Sequence, residues 1–121
     1  MPVTRFSLKD APALIERLLP VQKLSAEAYK EQMANVGSEV GRALNWRAKK
    51  NEVYADQAFV RALELLGLTI EGARKRPGLR ELTRVREALL DYFYGDNEYH
   101  STDEQWQKYF LQFAYAARRG K

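Results

Sequence analysis

Along residues 29–44 an apolar stripe runs Tyr29, Met33, Val36, Val40 and Leu44, at steps of four, three, four and four. That spacing brings each side chain back to one face of an α-helix. Gly37 and Gly41 fall inside the run. Each costs roughly 1 kcal/mol against alanine in a helix interior. Two readings compete: a break near Gly37 and Ser38, or one helix whose glycines let another helix come close. The unbroken stripe favours continuity.

The same period accounts for the rest of the chain. Asp10 caps a first helix with Pro12 in its first turn; Leu14, Ile15, Leu18 and Leu19 form its stripe, and Pro20 stops it. Ser25 is the next cap candidate. Asn51 caps a third helix that runs to Leu66 and ends at Gly67. Its apolar arc, Ala58, Phe59, Ala62, Leu63, Leu65 and Leu66, is wide enough for a central place in a bundle. Residues 67–78, GLTIEGARKRPG, read as a loop. A fourth helix spans Leu79 to Tyr94, with Gly95 after it. Ser101 and Glu104 fit an S-x-x-E capping box. The helix that follows carries Trp106, Phe110, Phe113 and Ala117 on one face, and Arg118, Arg119 and Lys121 close it, where positive charge suits the helix dipole. Strand alternation, internal repeats and low-complexity tracts are absent from the sequence. The pattern predicts an all-α fold, a compact bundle of about five helices, with residues 1–121 as one domain.

Composition narrows the chemistry. The chain has 121 residues, 45% of them hydrophobic and 30% charged, which suits a folded core with a wet surface. It contains no cysteine, which removes disulfides, thiolate nucleophiles and cysteine-based zinc sites and fits a reducing compartment. No apolar run reaches the ~20 residues that span a bilayer, and MPVTRFSLKD has no apolar signal core. A cytoplasmic bacterial-type protein without membrane contact is expected. The net charge of +4 is uneven: residues 41–90 carry eleven Lys/Arg against six Asp/Glu, and the flanking segments are close to neutral. A basic middle attracts nucleic acid or an acidic protein, or simply keeps the protein soluble.

The fourth helix, with RELTRVREALLDYF at 80–93, raises the question of its arginines. On a helical wheel Leu79, Leu82, Leu89 and Phe93 share one sector, and Arg80, Arg84, Glu87 and Asp91 lie opposite, as a solvated face. Arg86 falls between Leu82 and Leu89. The expectation there is a buried or edge ion pair with another helix, with an anion contact as the alternative. Arg42, Arg47, Lys49 and Lys50 surround Trp46, and Arg74, Lys75 and Arg76 sit in the loop that follows the third helix. A tryptophan among cations can stack on a base, or be a core residue under snorkelling lysines. Leu111 and Tyr115 lie across the wheel from Trp106 and Phe113, so the last helix is apolar on two faces and is a candidate interface.

Catalytic signatures are missing. The single histidine, His100, lies near Asp96, Glu98 and Asp103, but the stretch lacks the glycine and distal glutamate of a calcium loop. GSEVGR does not have phosphate-loop spacing, and no G-x-S-x-G or G-x-G-x-x-G occurs. No catalytic residue, metal or cofactor is expected. The leading expectation is a non-enzymatic interaction protein, self-associating or a small subunit of a larger assembly, using the helix at 102–118. The alternative is a nucleic-acid-binding accessory protein using the cations at 42–50 and 74–76.

FSLKDAPALIERLLPVQKLSAEAYKEQMANVGS, residues 6–38, resembles the leading segment of large bacterial adenine-specific DNA methyltransferase-like proteins. The methylase signature of Asp/Asn-Pro-Pro-aromatic has no counterpart here, so the resemblance carries over no catalytic or cofactor residue. It implies a link to DNA modification, phage defence or mobile elements. RELTRVREALLDYFYGDNEYHSTDEQWQKYF is similar to small helical bacterial proteins of no assigned role.

Overall fold

The computed structural model describes residues 26–73 and 78–119, so the helix expected after Asp10 and the Ser25 cap lie outside the described residues. Four helices make up the described part: α1 (Ala26–Ala48), α2 (Glu52–Gly72), α3 (Leu79–Tyr94) and α4 (Asp103–Arg119), with no strand among them. The all-α class stands among the described residues, which hold four of the about five helices expected; the first expected helix lies outside them.

Helix α1 is unbroken. Met33, Val36, Val40 and Leu44 are buried along its inner face. The two glycines differ. A Cβ at Gly37 would lie 2.5 Å from Phe110 Cβ and 2.9 Å from Phe110 Cγ, so α4 crosses α1 closely at this point. A Cβ at Gly41 would meet nothing within 4 Å.

The chain reverses tightly after α1. The Asn51 amide donates to the Trp46 carbonyl and the Lys50 amide to the Arg47 carbonyl, each at 2.9 Å, with Lys50 left-handed at φ 64°. This is the helix-ending pattern that usually carries glycine at the left-handed position. Asn51 Oδ1 then accepts from the Tyr54 amide at 3.0 Å, so it caps α2 as expected.

Helix α2 outruns the expected end at Gly67 and continues to Gly72. The reason is burial on the far side of the glycine. Leu66, Thr69 and Ala73 are all fully buried. The Thr69 hydroxyl lies 2.8 Å from both the Leu65 carbonyl and Gln32 Oε1, and donates to one of them. A buried threonine satisfied in this way, with two apolar neighbours on the same face, outweighs the ~1 kcal/mol that glycine costs in a helix.

Helix α3 has the expected bounds, and the Gly95 amide closes it on the Leu90 and Asp91 carbonyls. In the loop that follows, Asp91 accepts from the amides of Glu98 and Tyr99. Asn97 both donates to the Ser101 carbonyl and accepts from its amide. Because Asn97 holds Ser101, the capping box moves one residue along. Thr102 Oγ1 accepts from the Gln105 amide, and Gln105 Oε1 accepts from the Thr102 amide, both at 3.1 Å. The expected pair Ser101 and Glu104 does not form the box.

Helix α1 packs against α2 on one side and α4 on the other, and α3 leans on α2. Phe59 of α2 is fully buried and stacks on Phe93 of α3 at 4.0 Å between ring centres. Tyr29 of α1 meets Phe113 of α4 edge-on at 6.0 Å. Among the described residues, no helix is long and apolar enough to cross a membrane.

Candidate functional site

The five residues of the 42–50 cluster separate in space. Arg47 turns inward. Its guanidinium lies 4.7 Å from the Tyr92 ring centre, 4.5 Å from that of Phe93, and 3.6 Å from Asp103 at the start of α4. Tyr92 OH also donates to Asp103. Arg47 therefore ties α1 to α3 and α4, and the interhelical ion pair expected at Arg86 forms here instead. Arg86 is exposed and has no ion pair among the described residues. The most deeply buried side chains of α3 are Leu82, Val85 and Leu89. Val85 pulls the centre of the buried face away from Arg86, which is left on its flank.

The other members stay outside. Trp46 is half-buried and meets Tyr54 edge-on, with ring centres 4.8 Å apart and planes at 83°. Lys49 Nζ stands 5.2 Å over the Trp46 ring. Arg42 is exposed, with Nη1 3.3 Å from both carboxylate oxygens of Glu39. Lys50 is exposed at the turn. Arg74, Lys75 and Arg76 lie outside the described residues.

Trp46, Arg42 and Glu39 of α1 join Tyr54, Gln57, Ala58 and Arg61 of α2 around an open hollow of about 380 Å³. Sequence reading missed the α2 half. The signal lay in the hairpin: positions equidistant from its turn face each other. Trp46 and Tyr54 stand four residues either side of Lys50, Arg42 and Ala58 eight, Glu39 and Arg61 eleven. The Asn51 cap marked the turn, and counting outward from it finds the second half.

Leu111 and Tyr115 are exposed on the outer side of α4, at 49% and 59%, as the wheel required. The Arg118 guanidinium lies 6.0 Å over the Tyr115 ring. Leu111 also borders an apolar groove of about 200 Å³ between α1 and α4, floored by Ala34, Ser38 and Gly41. A third hollow, of about 340 Å³ between α3 and α4, is lined by Glu81, Arg84, Val85, Gln105, Trp106 and Tyr109 among others. Trp106 Nε1 is buried and has no acceptor among the described residues.

Tyrosines carry the shifted acidities. Burial, and then its hydrogen bond to Glu81 Oε2 at 2.6 Å, push the Tyr109 phenol well above its ordinary value. Partial burial, and then the Asp56 carboxylate that accepts from its hydroxyl, push Tyr94 up to about 12, although 58% of the residue faces solvent. Tyr92 is raised by burial and by Asp103, with Arg47 acting in the opposite direction. Tyr29 is raised by burial and by Glu81. His100 is exposed in the loop with a left-handed φ of 55°, while Asp103 is drawn away to Arg47 and Tyr92. Among the described residues, no three His, Asp or Glu side chains converge to hold a metal ion.

No protein-family model, curated protein or solved structure matches the chain.

Proposed function

We propose that the protein is a non-enzymatic interaction module that self-associates through the outer face of α4. One observation carries this reading: a solvent-facing stripe that is complementary to itself. Glu104, Lys108, Leu111, Tyr115 and Arg118 follow one another at steps of four, three, four and three, the spacing of a coiled-coil seam. All five are exposed. Glu104 and Arg118 stand seven residues either side of Leu111. Laid antiparallel about a two-fold axis through Leu111, two copies bring each Glu104 to the other's Arg118. The same axis sets Leu111 against Leu111 and Tyr115 beside Gln107. An isologous contact needs this kind of self-complementarity. The apolar groove beside Leu111 adds surface to the same face.

A single pair of helices buries less than the ~1,600 Å² of a standard interface, so the dimer belongs to the weak, concentration-dependent class. Sedimentation over a wide concentration range should show the mass rising from one copy to two. Leu111→Asp/Tyr115→Asp should hold the protein at one copy throughout. Glu104→Arg alone and Arg118→Glu alone should each weaken association, and the two together should restore it. A wild-type chain that stays monomeric at the highest concentration, or a double charge reversal that fails to restore association, sinks the reading.

A further inference from the structure

The hollow between α1 and α2 lies on the opposite side of α1 from the α4 contact, and its chemistry is different. One end, near the turn, is aromatic: the Trp46 and Tyr54 rings stand at 83° to each other, and Tyr54 is 48% exposed. The other end is cationic. Arg42, with 60% of its side chain exposed, contacts Glu39 through Nη1, which leaves its remaining guanidinium donors free. Arg61 is exposed and has no ion pair among the described residues. Gln57 lies between the two ends with an amide that both donates and accepts. Lys49 over the Trp46 ring and Lys50, exposed at the turn, add two cations near the aromatic end.

We infer that this hollow binds single-stranded nucleic acid, with one base stacked in the Trp46–Tyr54 corner and neighbouring phosphates on Arg42 and Arg61. Each part of the site answers one part of that ligand. An aromatic face accepts any unstacked base, guanidinium forks suit phosphate oxygens, and an amide reads a base edge. The volume of about 380 Å³ falls in the range of small-ligand pockets, so it takes a base rather than a helix. A duplex hides its bases in the stack and offers nothing to the corner. An acidic peptide would engage the arginines but leave the aromatic corner unused; Glu39 repels carboxylate and phosphate alike, so the corner is what separates the two ligands. Along the helix axes Trp46 stands about 6 Å from Arg42 and Tyr54 about 10 Å from Arg61. Base and phosphate contacts are therefore spread along one trough. Arg47 takes no part, because Asp103 and the α3 rings hold it.

The test is fluorescence anisotropy of a labelled oligothymidylate about 12 nucleotides long, titrated with the full chain across a potassium chloride series. Binding should weaken with salt at a logarithmic slope of about −2 to −3, for three or four phosphates at roughly −0.7 each. Arg42→Ala/Arg61→Ala should weaken binding at least about tenfold at low salt and flatten the slope by about 1.4. Tyr54→Ala should weaken binding roughly 5- to 150-fold with the slope unchanged, because stacking releases no counterions. Trp46→Ala should act in the same direction; its effect is read beside that of Tyr54→Ala, whose exposed ring can be removed without opening the core. Arg80→Ala/Arg86→Ala, which removes two exposed cations from α3, should leave affinity unchanged. Four results overturn the inference: no binding at low salt, equal loss in the α3 control, thymidine monophosphate binding as tightly as the strand, or oligoglutamate competing as well as the strand. Self-association is a separate readout, so failure here leaves the α4 proposal standing.

Discussion

Between α1 and α2 the contact surface is mostly aliphatic: Met33, Val36, Val40 and Leu44 face Ala62 and Leu66, all buried, with the Trp46–Tyr54 pair near the turn and Thr69 beside Gln32 at the far end. Around α3 and α4 the ties are rings and phenols. Tyr109 donates to Glu81, Tyr92 to Asp103 and Tyr94 to Asp56, and Arg47 sits over the Tyr92 and Phe93 rings. The hairpin depends on volume, which a change of pH or salt leaves alone. The outer pair joins the same core through Leu82, Leu89 and Phe110 and adds these polar ties to it, with Trp106 Nε1 buried and without an acceptor among the described residues, a shortfall of about 1–3 kcal/mol. The more exposed half of the molecule is thus the half most open to solution conditions. Both proposed contacts follow this division. The α4 stripe belongs to the conditional half, and the stacking hollow is built into the stable hairpin.

The largest expected effect comes from the joint between the halves. Phe59 is fully buried in α2 and stacks on Phe93 of α3. Phe59→Ala should cost about 3–5 kcal/mol in urea unfolding, from lost transfer energy plus the cavity left behind. Phe59→Leu keeps most of the volume and should cost far less. A loss below 1 kcal/mol for the alanine variant would mean that α3 is not seated on the hairpin as described.

The two glycines of α1 sharpen the contrast at a smaller scale. Gly37→Ala drives a methyl group into Phe110 of α4, and the clash with its Cβ cannot be relieved by a rotamer change. The net loss should be about 1–3 kcal/mol, the usual range for an overpacked core. Gly41→Ala meets open space and should gain up to about 1 kcal/mol from helix propensity alone. Chemical denaturation of both variants checks the signs. Equal effects at the two positions would place the α1–α4 crossing elsewhere.

Those glycines also show where sequence was readable. Period and caps were local, so the continuity of α1, the Asn51 cap and the bounds of α3 all followed from residues within a few positions of one another. What failed depended on partners far along the chain. Gly67 looked like an end because the glycines, proline and charges of 67–78 looked like a loop; the burial of Thr69 against Gln32, 37 positions away, could not be seen. The capping box moved because Asn97 took Ser101. Arg47, not Arg86, made the interhelical ion pair seen among the described residues, because a wheel shows which face is apolar, but not how far the neighbouring helix covers it. In the hollow, Trp46 and Arg42 were legible as cations around a ring. Tyr54, Gln57 and Arg61 required the hairpin to be folded first.

Alkaline pH separates the two halves by the smallest effect. An ordinary phenol titrates near 10.0, whereas Tyr109 is raised well above that value and Tyr94 to about 12. Above pH 10 the unfolded chain releases these protons while the folded chain keeps them. The unfolded state then binds fewer protons, so stability falls as pH rises, from about 10 towards 12 and beyond. Tyr109 contributes at most about 1.4 kcal/mol per pH unit to that slope, and Tyr94, 58% exposed and screened by solvent, adds far less. Tyr109→Phe should cost about 1 kcal/mol at neutral pH, where the bond to Glu81 is lost. It should also make the alkaline decline shallower, since one of the retained protons is gone. Removing a phenol with an ordinary acidity would leave the slope untouched. Urea midpoints of the wild type and the Tyr109→Phe variant between pH 7 and about 11 decide the matter. If the two curves run parallel, the α3–α4 pair is not held by this phenol, and the contrast between an aliphatic hairpin and a polar outer pair loses its main support.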